Sequence, residues 1–277
     1  MKKLLGICTL LLAASPAWSA DWKLVWADEF NQPGLPDPSK WSYEEGLIRN
    51  NEEQFYTRGR AENARVENGM LIIEARKEQW KNPEFDPDAK GRGSYRHRRE
   101  YVQYTSASLT TRGKASWTYG RIEVRAKLPS ARGTWPAIWT LGNKPVGWPA
   151  CGEIDIMEFV GFDPGVIHAN IHTTKYNHVQ KTGKGSQITI PDASSAFHVY
   201  ALEWEPDRLD FFVDDKKYFT FQNEGTGREA WPYDQDQYLI LNLAIGGAWG
   251  GAKGIDEGSF PQRYYIDYVR VYQKPGS

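Results

Sequence analysis

The sequence is short of cysteine, of long apolar runs and of charge of one sign, and each shortage narrows what the chain can be. Only two cysteines occur in 277 residues, Cys8 and Cys151. Cys8 falls in an N-terminal leader, so the remaining chain can form no internal disulfide. Lysine and arginine number 34 against 35 aspartates and glutamates, a formal charge of −1, which argues against nucleic acid as the partner. The one basic run, Arg96-His97-Arg98-Arg99, reads as a solvated loop, because a short run in such a chain makes a weak field. The single apolar run, from Leu4 to Ala14, is too short to span a bilayer comfortably, and no other membrane-crossing candidate follows. Convincing amphipathic helices of normal length are missing, as are linkers, low-complexity tracts and repeats of solenoid period.

The leader carries Lys2 and Lys3, then the apolar run, then Ser15-Pro16-Ala17-Trp18-Ser19-Ala20. A basic start, a short apolar stretch and small residues near a cut site describe a secretory signal peptide. Cleavage after Ser19 and after Ala20 both fit, and a membrane anchor or a buried N-terminal helix is the competing reading. Removal of the leader shifts the formal charge from −1 to −3. The expectation is a signal peptide over residues 1–20 and one domain over 21–277. The mature protein is expected to be a monomer, secreted or periplasmic, with no membrane attachment.

What the chain has in abundance is 12 Trp, 15 Tyr, 26 Gly and 16 Pro. Aromatic-rich short runs between Gly- and Pro-marked turns favour strands. Gly120 to Leu128 alternates Ile122, Val124, Ala126 and Leu128 with Arg121, Glu123, Arg125 and Lys127, which predicts a strand with one buried face. Further strands are expected over 70–76, 198–204, 208–213, 217–221, 238–244 and 264–272, with Asp214-Asp215 as a hairpin turn. A long polar insertion begins near Trp80 and runs to Arg99. The fold class this predicts is all-β, two antiparallel sheets packed face to face.

Gly152-Glu153-Ile154-Asp155-Ile156-Met157-Glu158-Phe159 carries the chemistry. In a regular strand Glu153 and Asp155 share one face while Ile154 and Ile156 enter the core. Strict alternation would then send Glu158 inward, where an unpaired carboxylate is costly. One extra residue at Ile156-Met157, a β-bulge, restores Glu158 to the face of the other two acids and returns Phe159 to the core. Three adjacent carboxylates repel, so at least one should hold a proton near neutrality. Glycoside hydrolysis uses such a pair, one carboxylate ionised and its partner protonated. At about 3.3 Å per residue the two glutamate backbones lie roughly 13 Å apart, so the side chains must lean together over Asp155 to reach the ~5–5.5 Å of a retaining enzyme. The spacing alone leaves an inverting enzyme open, and a solvent-facing acidic strand or a carboxylate calcium site would explain the triplet without catalysis.

The surroundings favour sugar chemistry. Trp135 and Trp139 stand four residues apart just before the acidic strand, and Trp148 and Trp249 sit by glycine-rich turns. Sugar C–H faces stack on exposed indoles, although a single Trp is more often core. His168, Asn170 and His172 alternate with apolar residues and should share a face on a neighbouring strand. Hydrogen bonding near the carboxylates is the favoured reading for these side chains, ahead of metal binding.

Taken together, the chain resembles glycoside hydrolase family 16, in particular its bacterial laminarinase branch. The pattern E-[IL]-D-[IV]-x-E stands as Glu153-Ile154-Asp155-Ile156-Met157-Glu158. Trp26 to Phe30, Asn50 to Gln54, Tyr119 to Arg125, Gly133 to Trp139, His168 to Thr173, Asn242 to Gly251 and Tyr265 to Tyr272 extend the resemblance over nearly the whole mature chain. It implies a β-jelly roll with a cleft on a concave sheet. It also implies retention of anomeric configuration, with Glu153 as nucleophile, Glu158 as general acid/base and Asp155 hydrogen-bonded to Glu153. Asn51, Trp135, Trp139, His172 and Trp249 match cleft-lining positions. No cofactor is implied for catalysis. A structural calcium of relatives maps to Glu29, the Gly69 carbonyl and Asp267. One departure is Ser108, where many laminarinases carry an arginine, with Arg112 as the candidate replacement.

The expected partner is a polysaccharide, and the expected activity is endo-hydrolysis of β-1,3-glucan, with mixed-linkage β-1,3-1,4-glucan as a further substrate. The alternatives are a galactan hydrolase or a transglycosylase of the same family, and, in another class, a non-catalytic glucan-binding protein. Modules of the last kind usually lack the catalytic glutamates.

Overall fold

A computed structural model describes residues 22–91 and 93–276; the expected signal peptide lies outside the described residues. In chain order the strands are β1 (Lys23–Asp28), β2 (Ser42–Glu44), β3 (Gln54–Tyr56), β4 (Ala64–Glu67), β5 (Met70–Lys81) and β6 (Tyr101–Ser106). There follow β7 (Ser108–Thr110), β8 (Gly120–Lys127), β9 (Thr134–Gly142), β10 (Glu153–Phe159), β11 (Val166–His172) and β12 (Lys184–Thr189). The last are β13 (His198–Trp204), β14 (Arg208–Val213), β15 (Lys216–Gln222), β16 (Gln237–Ile245) and β17 (Gln262–Gln273). Two single-turn helices, α1 (Tyr95–Arg98) and α2 (Gly247–Gly250), are the only α-helices among the described residues.

The strands form two sheets. One has seven strands in the order β12-β11-β10-β9-β16-β7-β2; the other has ten, along β15-β14-β13-β8-β17-β5-β6-β3, with β1 on β17 and β4 on β5. Period-two alternation explains the packing. Ile138 of β9, Ile154 and Ile156 of β10, Ile167 and Ile171 of β11 and Leu239, Leu241 and Leu243 of β16 turn inward. There they meet Ile122, Val124, Tyr200, Leu202, Val269 and Val271 of the ten-stranded sheet in one continuous core. Truncating any one of these to Ala would cost about 2–5 kcal/mol. The opposite face of the seven-stranded sheet carries its own small cluster, Ala137, Trp139, Tyr238 and Ile240, and this face holds the acids.

The expected strands are present, with β13 and β14 at the expected bounds. The hairpin over Asp214-Asp215 is present too, Asp214 having φ of 53° and Val213 facing Lys216. A second hairpin passed unread in the sequence. Asn68 and Gly69 take φ of 54° and 73° with Glu67 opposite Met70, the two-residue turn that Asn-Gly favours because both positions need positive φ. The expectation for β8 needs correcting on one point. Its charged side is not solvated throughout: Arg121 and Glu123 are buried, held by ion pairs of 2.6 Å between them and 2.8 Å from Arg121 to Glu203.

The polar insertion occupies residues 82–100 between β5 and β6, with α1 inside it. Its basic run is bonded rather than merely solvated at Arg99. That side chain reaches Glu53 at 2.6 Å and the Glu52 carbonyl at 3.2 Å, tying the insertion to the loop that carries Asn51.

Candidate active site

The bulge lies where the phase of the acids demanded it. Against β9 the register shifts between Asp155 and Met157, and against β11 between Asp155 and Glu158. Ile154, Ile156, Met157 and Phe159 are consequently all in the core, while Glu153 and Glu158 remain partly accessible. Asp155 between them is 3% exposed, which makes it a group read by its neighbours rather than by solvent.

The three carboxylates have different partners. The Trp148 indole N–H donates to Glu153 Oε2 at 2.8 Å. Glu158 is held on both oxygens, accepting from Trp135 Nε1 at 3.1 Å and from Asn170 Nδ2 at 2.9 Å. Asp155 Oδ2 lies 3.2 Å from His172 Nε2, and Glu153 Oε1 lies 3.7 Å from the same nitrogen. Glu153 and Asp155 are neighbours on this face, and the charge of Asp155 adds to the rise in the pKa of Glu153. A neutral N–H donor favours the ionised form of the carboxylate it meets. Trp148 on Glu153, and Trp135 and Asn170 on Glu158, each act in that direction against the effect of burial.

Burial drives all three acids upward in pKa. Desolvation is the largest cause at Glu153, followed by the charge of Asp155, and at Asp155 desolvation is followed by the charge of Glu158. Glu158 is also raised by burial, with Asn170, His172 and Trp135 pulling the other way. The cluster thus retains protons at a pH where free carboxylates have lost them, as a site needing one acid and one base among like groups requires.

β11 supplies the alternating row that the sequence predicts. His172 and Asn170 face Glu153 and Asp155 in register, and His168 faces Glu158. Trp135 meets Trp249 edge-on at 5.5 Å, and Trp249 meets His168 edge-on at 4.9 Å. These two indoles form a wall beside Glu158. Asn51, with φ of 52°, lines a groove of about 420 Å³ with Glu53, Gly246, Gly247, Ala248 and Ile255. The loop is latched to β16 because Gln54 Oε1 accepts from the Ile245 amide at 2.7 Å.

Trp139 is placed differently from a sugar platform. It is 7% exposed, its N–H donates to Asn242 Oδ1 at 2.8 Å, and the Arg49 guanidinium lies over its ring at 4.7 Å. Arg49 also pairs with Glu44, whose Oε2 accepts from Ser108 Oγ at 2.6 Å. Arg112 instead lies over Tyr238 at 5.4 Å. The guanidinium linked to Ser108 is thus that of Arg49. Nothing in the spacing of Arg49 marked it. Trp148 was legible only as a turn tryptophan, its contact with Glu153 being set by a loop conformation.

The calcium residues do not suit a cation as they stand. Both oxygens of Glu29 accept from Arg270, at 2.7 and 2.9 Å, and Asp267 accepts from Arg125 at 2.5 Å. A calcium ion would have to displace two arginines from the carboxylates meant to hold it. Gly69 has its own role in the Asn68-Gly69 turn. Glu153, Asp155 and His172 could geometrically gather around a metal ion; Glu153 already accepts from Trp148, and Asp155 faces His172 at 3.2 Å.

Comparison with known proteins agrees with this geometry. The chain is 50% identical to the beta-glucanase of Rhodothermus marinus over 96% of this chain and 90% of that protein. The crystal structure of the laminarinase from Rhodothermus marinus superposes with a TM-score of 0.81 at 49% identity, covering 91% of this chain and 98% of that one. SCLam, a non-specific endo-β-1,3(4)-glucanase, superposes with a TM-score of 0.82 at 50% identity over 92% of each chain. Residues 51–270 match Glycosyl hydrolases family 16, and the protein, an all-β jelly roll with its acids on the exposed face of one sheet, belongs to that family.

Proposed function

We propose that the protein is an endo-acting, retaining β-glucanase that hydrolyses β-1,3-glucan of the laminarin type and also mixed-linkage β-1,3-1,4-glucan. The observation that carries this reading is the unequal treatment of two glutamates on one bulged strand. Glu153 takes an indole N–H and the company of His172, while Glu158 is fixed on both oxygens by Trp135 and Asn170. In the first step the Glu153 carboxylate attacks the anomeric carbon as protonated Glu158 gives its proton to the departing glycosidic oxygen. A covalent glycosyl-enzyme results. Glu158, now ionised, takes a proton from water as that water attacks the same carbon and releases Glu153. In this reading Asp155 holds a hydrogen bond to Glu153 and helps set the charge balance of the cluster.

Trp135, Trp249 and Trp148 give indole surface around the acids, and Asn51 lies in the groove beside Gly246 to Ala248, next to Trp249 in the chain. Trp139 under Arg49 supports the floor. The substrate class rests on the named activities of the similar glucanases. Residues 21–277 constitute the catalytic domain of this reading, a monomer exported by the leader at residues 1–20. No cofactor is required.

The test is release of reducing ends from laminarin, lichenan, agarose and carrageenan in parallel. Laminarin should be cleaved fastest and lichenan more slowly, and Glu153→Gln should lower kcat on laminarin by at least about a thousandfold. Cleavage of a galactan with neither glucan attacked would overturn the substrate class. Wild-type rates in Glu153→Gln would overturn the mechanism.

A further inference from the structure

Gly185 has no conformational reason to be glycine. It lies inside β12, the edge strand of the seven-stranded sheet, and its φ is not positive. What distinguishes it is space. A Cβ there would fall 2.2 Å from Asn170 Oδ1 and 2.4 Å from the Ala169 carbonyl oxygen. Asn170 is its register partner on β11. The amide of Asn170 therefore occupies the volume that any other residue's Cβ would fill, and from that position its Nδ2 donates to Glu158 at 2.9 Å.

We infer that Gly185 is a positioning residue for the general acid/base, acting through Asn170: its missing side chain lets the amide lie across the edge strand with its N–H group on Glu158. The inference rests on the reading of Glu158 as acid/base. The amide donor favours ionised Glu158 against the desolvation that raises it. The other groups facing Glu158 are Asp155 and Glu153 on its own strand, His172 and His168 on β11, Trp135 on β9 and the Tyr218 phenol from β15 in the opposite sheet. None of these touches Gly185 in its close contacts, so a substitution there reaches Glu158 by way of Asn170.

The sign follows from the donor's role. With the N–H withdrawn, the ionised form of Glu158 loses a partner and its pKa rises. The protonated acid then persists to higher pH, and the alkaline limb of kcat/KM moves upward. Asn170→Ala should move that limb up by about one pH unit. Gly185→Ala should move it the same way by a comparable amount, and the double variant should move it no further. Gly183→Ala is the control on the same segment, since a Cβ there meets nothing within 4 Å, and its limb should stay at the wild-type position. A wild-type limb in Gly185→Ala, or a double variant showing the sum of the two shifts, would overturn the inference.

Melting temperatures supply a second readout that does not depend on the role of Glu158. Gly185→Ala should lower Tm less in the Asn170→Ala background than in the wild type, because the amide it collides with is gone. Folding of Gly185→Ala only in that background would support the contact equally. An equal loss of Tm in both backgrounds, or failure to fold in both, would assign the glycine to the Ala169 carbonyl alone and overturn the proposal. If the Tm coupling appears and the limb does not move, the positioning role is overturned while the packing of Gly185 on Asn170 stands.

Discussion

Glu153, Asp155 and Glu158 are chemically alike, and what separates their surroundings is which N–H reaches which oxygen. Trp148 serves Glu153, while Trp135 and Asn170 serve Glu158. Crowding three carboxylates into a desolvated site opposes folding. For an acid whose folded pKa lies above its unfolded value, the unfolded chain gives up its proton first, so stability falls as pH rises from the unfolded value through the folded one. Glu153 is such a group. Glu153→Gln should therefore raise Tm at pH 7, by about 2–4 °C for each kcal/mol relieved, and the gain should shrink below about pH 4, where the unfolded acids hold protons too. Calorimetry at the two pH values checks this. A lower Tm at pH 7 would mean that the glutamate is a net stabiliser. At this scale the bulge that sets Glu158 beside the other two acids was legible in the sequence, because the cost of burying Glu158 unpaired could be reasoned from spacing alone. Arg49 and the contact of Trp148 were not, because each depends on a loop returning to a strand distant in sequence.

β10 is the element on which the site depends. Its extra residue keeps Met157 and Phe159 in the core and Glu158 out of it. Deletion of Met157 would remove the bulge: strict alternation would still leave Glu158 on the outer face, but about 3.3 Å nearer Asp155 along the strand, and the core would lose the fully buried Met157 side chain. The expected result in urea unfolding is a loss of about 2–5 kcal/mol from the missing core side chain, with glucanase activity abolished because Glu158 leaves its place against Trp135 and Asn170. Met157→Leu keeps the residue count and should cost less than about 1.5 kcal/mol. A deletion variant as stable as the wild type would show that the strand can absorb the lost residue elsewhere. Alternation patterns served well for the other strands, and β13 and β14 were readable to the residue. Alternation failed at β8, where Arg121 and Glu123 are buried. Period two tells which side a residue faces and says nothing of whether an ion-pair network covers that side.

The whole molecule divides the work between two faces of one sheet. The inner face fuses with the ten-stranded sheet into a single core, and that rigidity lets the outer face hold polar side chains in fixed relation. The two-sheet architecture was legible from short aromatic strands and the lack of helical periodicity. The strand order was not, since neighbours such as β9 and β16 lie far apart in the chain. Ion pairing at Glu29 and Asp267 was likewise unreadable, because each arginine arrives from another part of the sheet. The central claim concerns how these faces place Glu153 and Glu158 about a glycosidic bond, and proton NMR of the first product released from a laminari-oligosaccharide tests it most directly. Retention predicts the β-anomer at the earliest times, with the α-anomer appearing only as the sugar mutarotates. The α-anomer appearing first would contradict Glu153 as nucleophile.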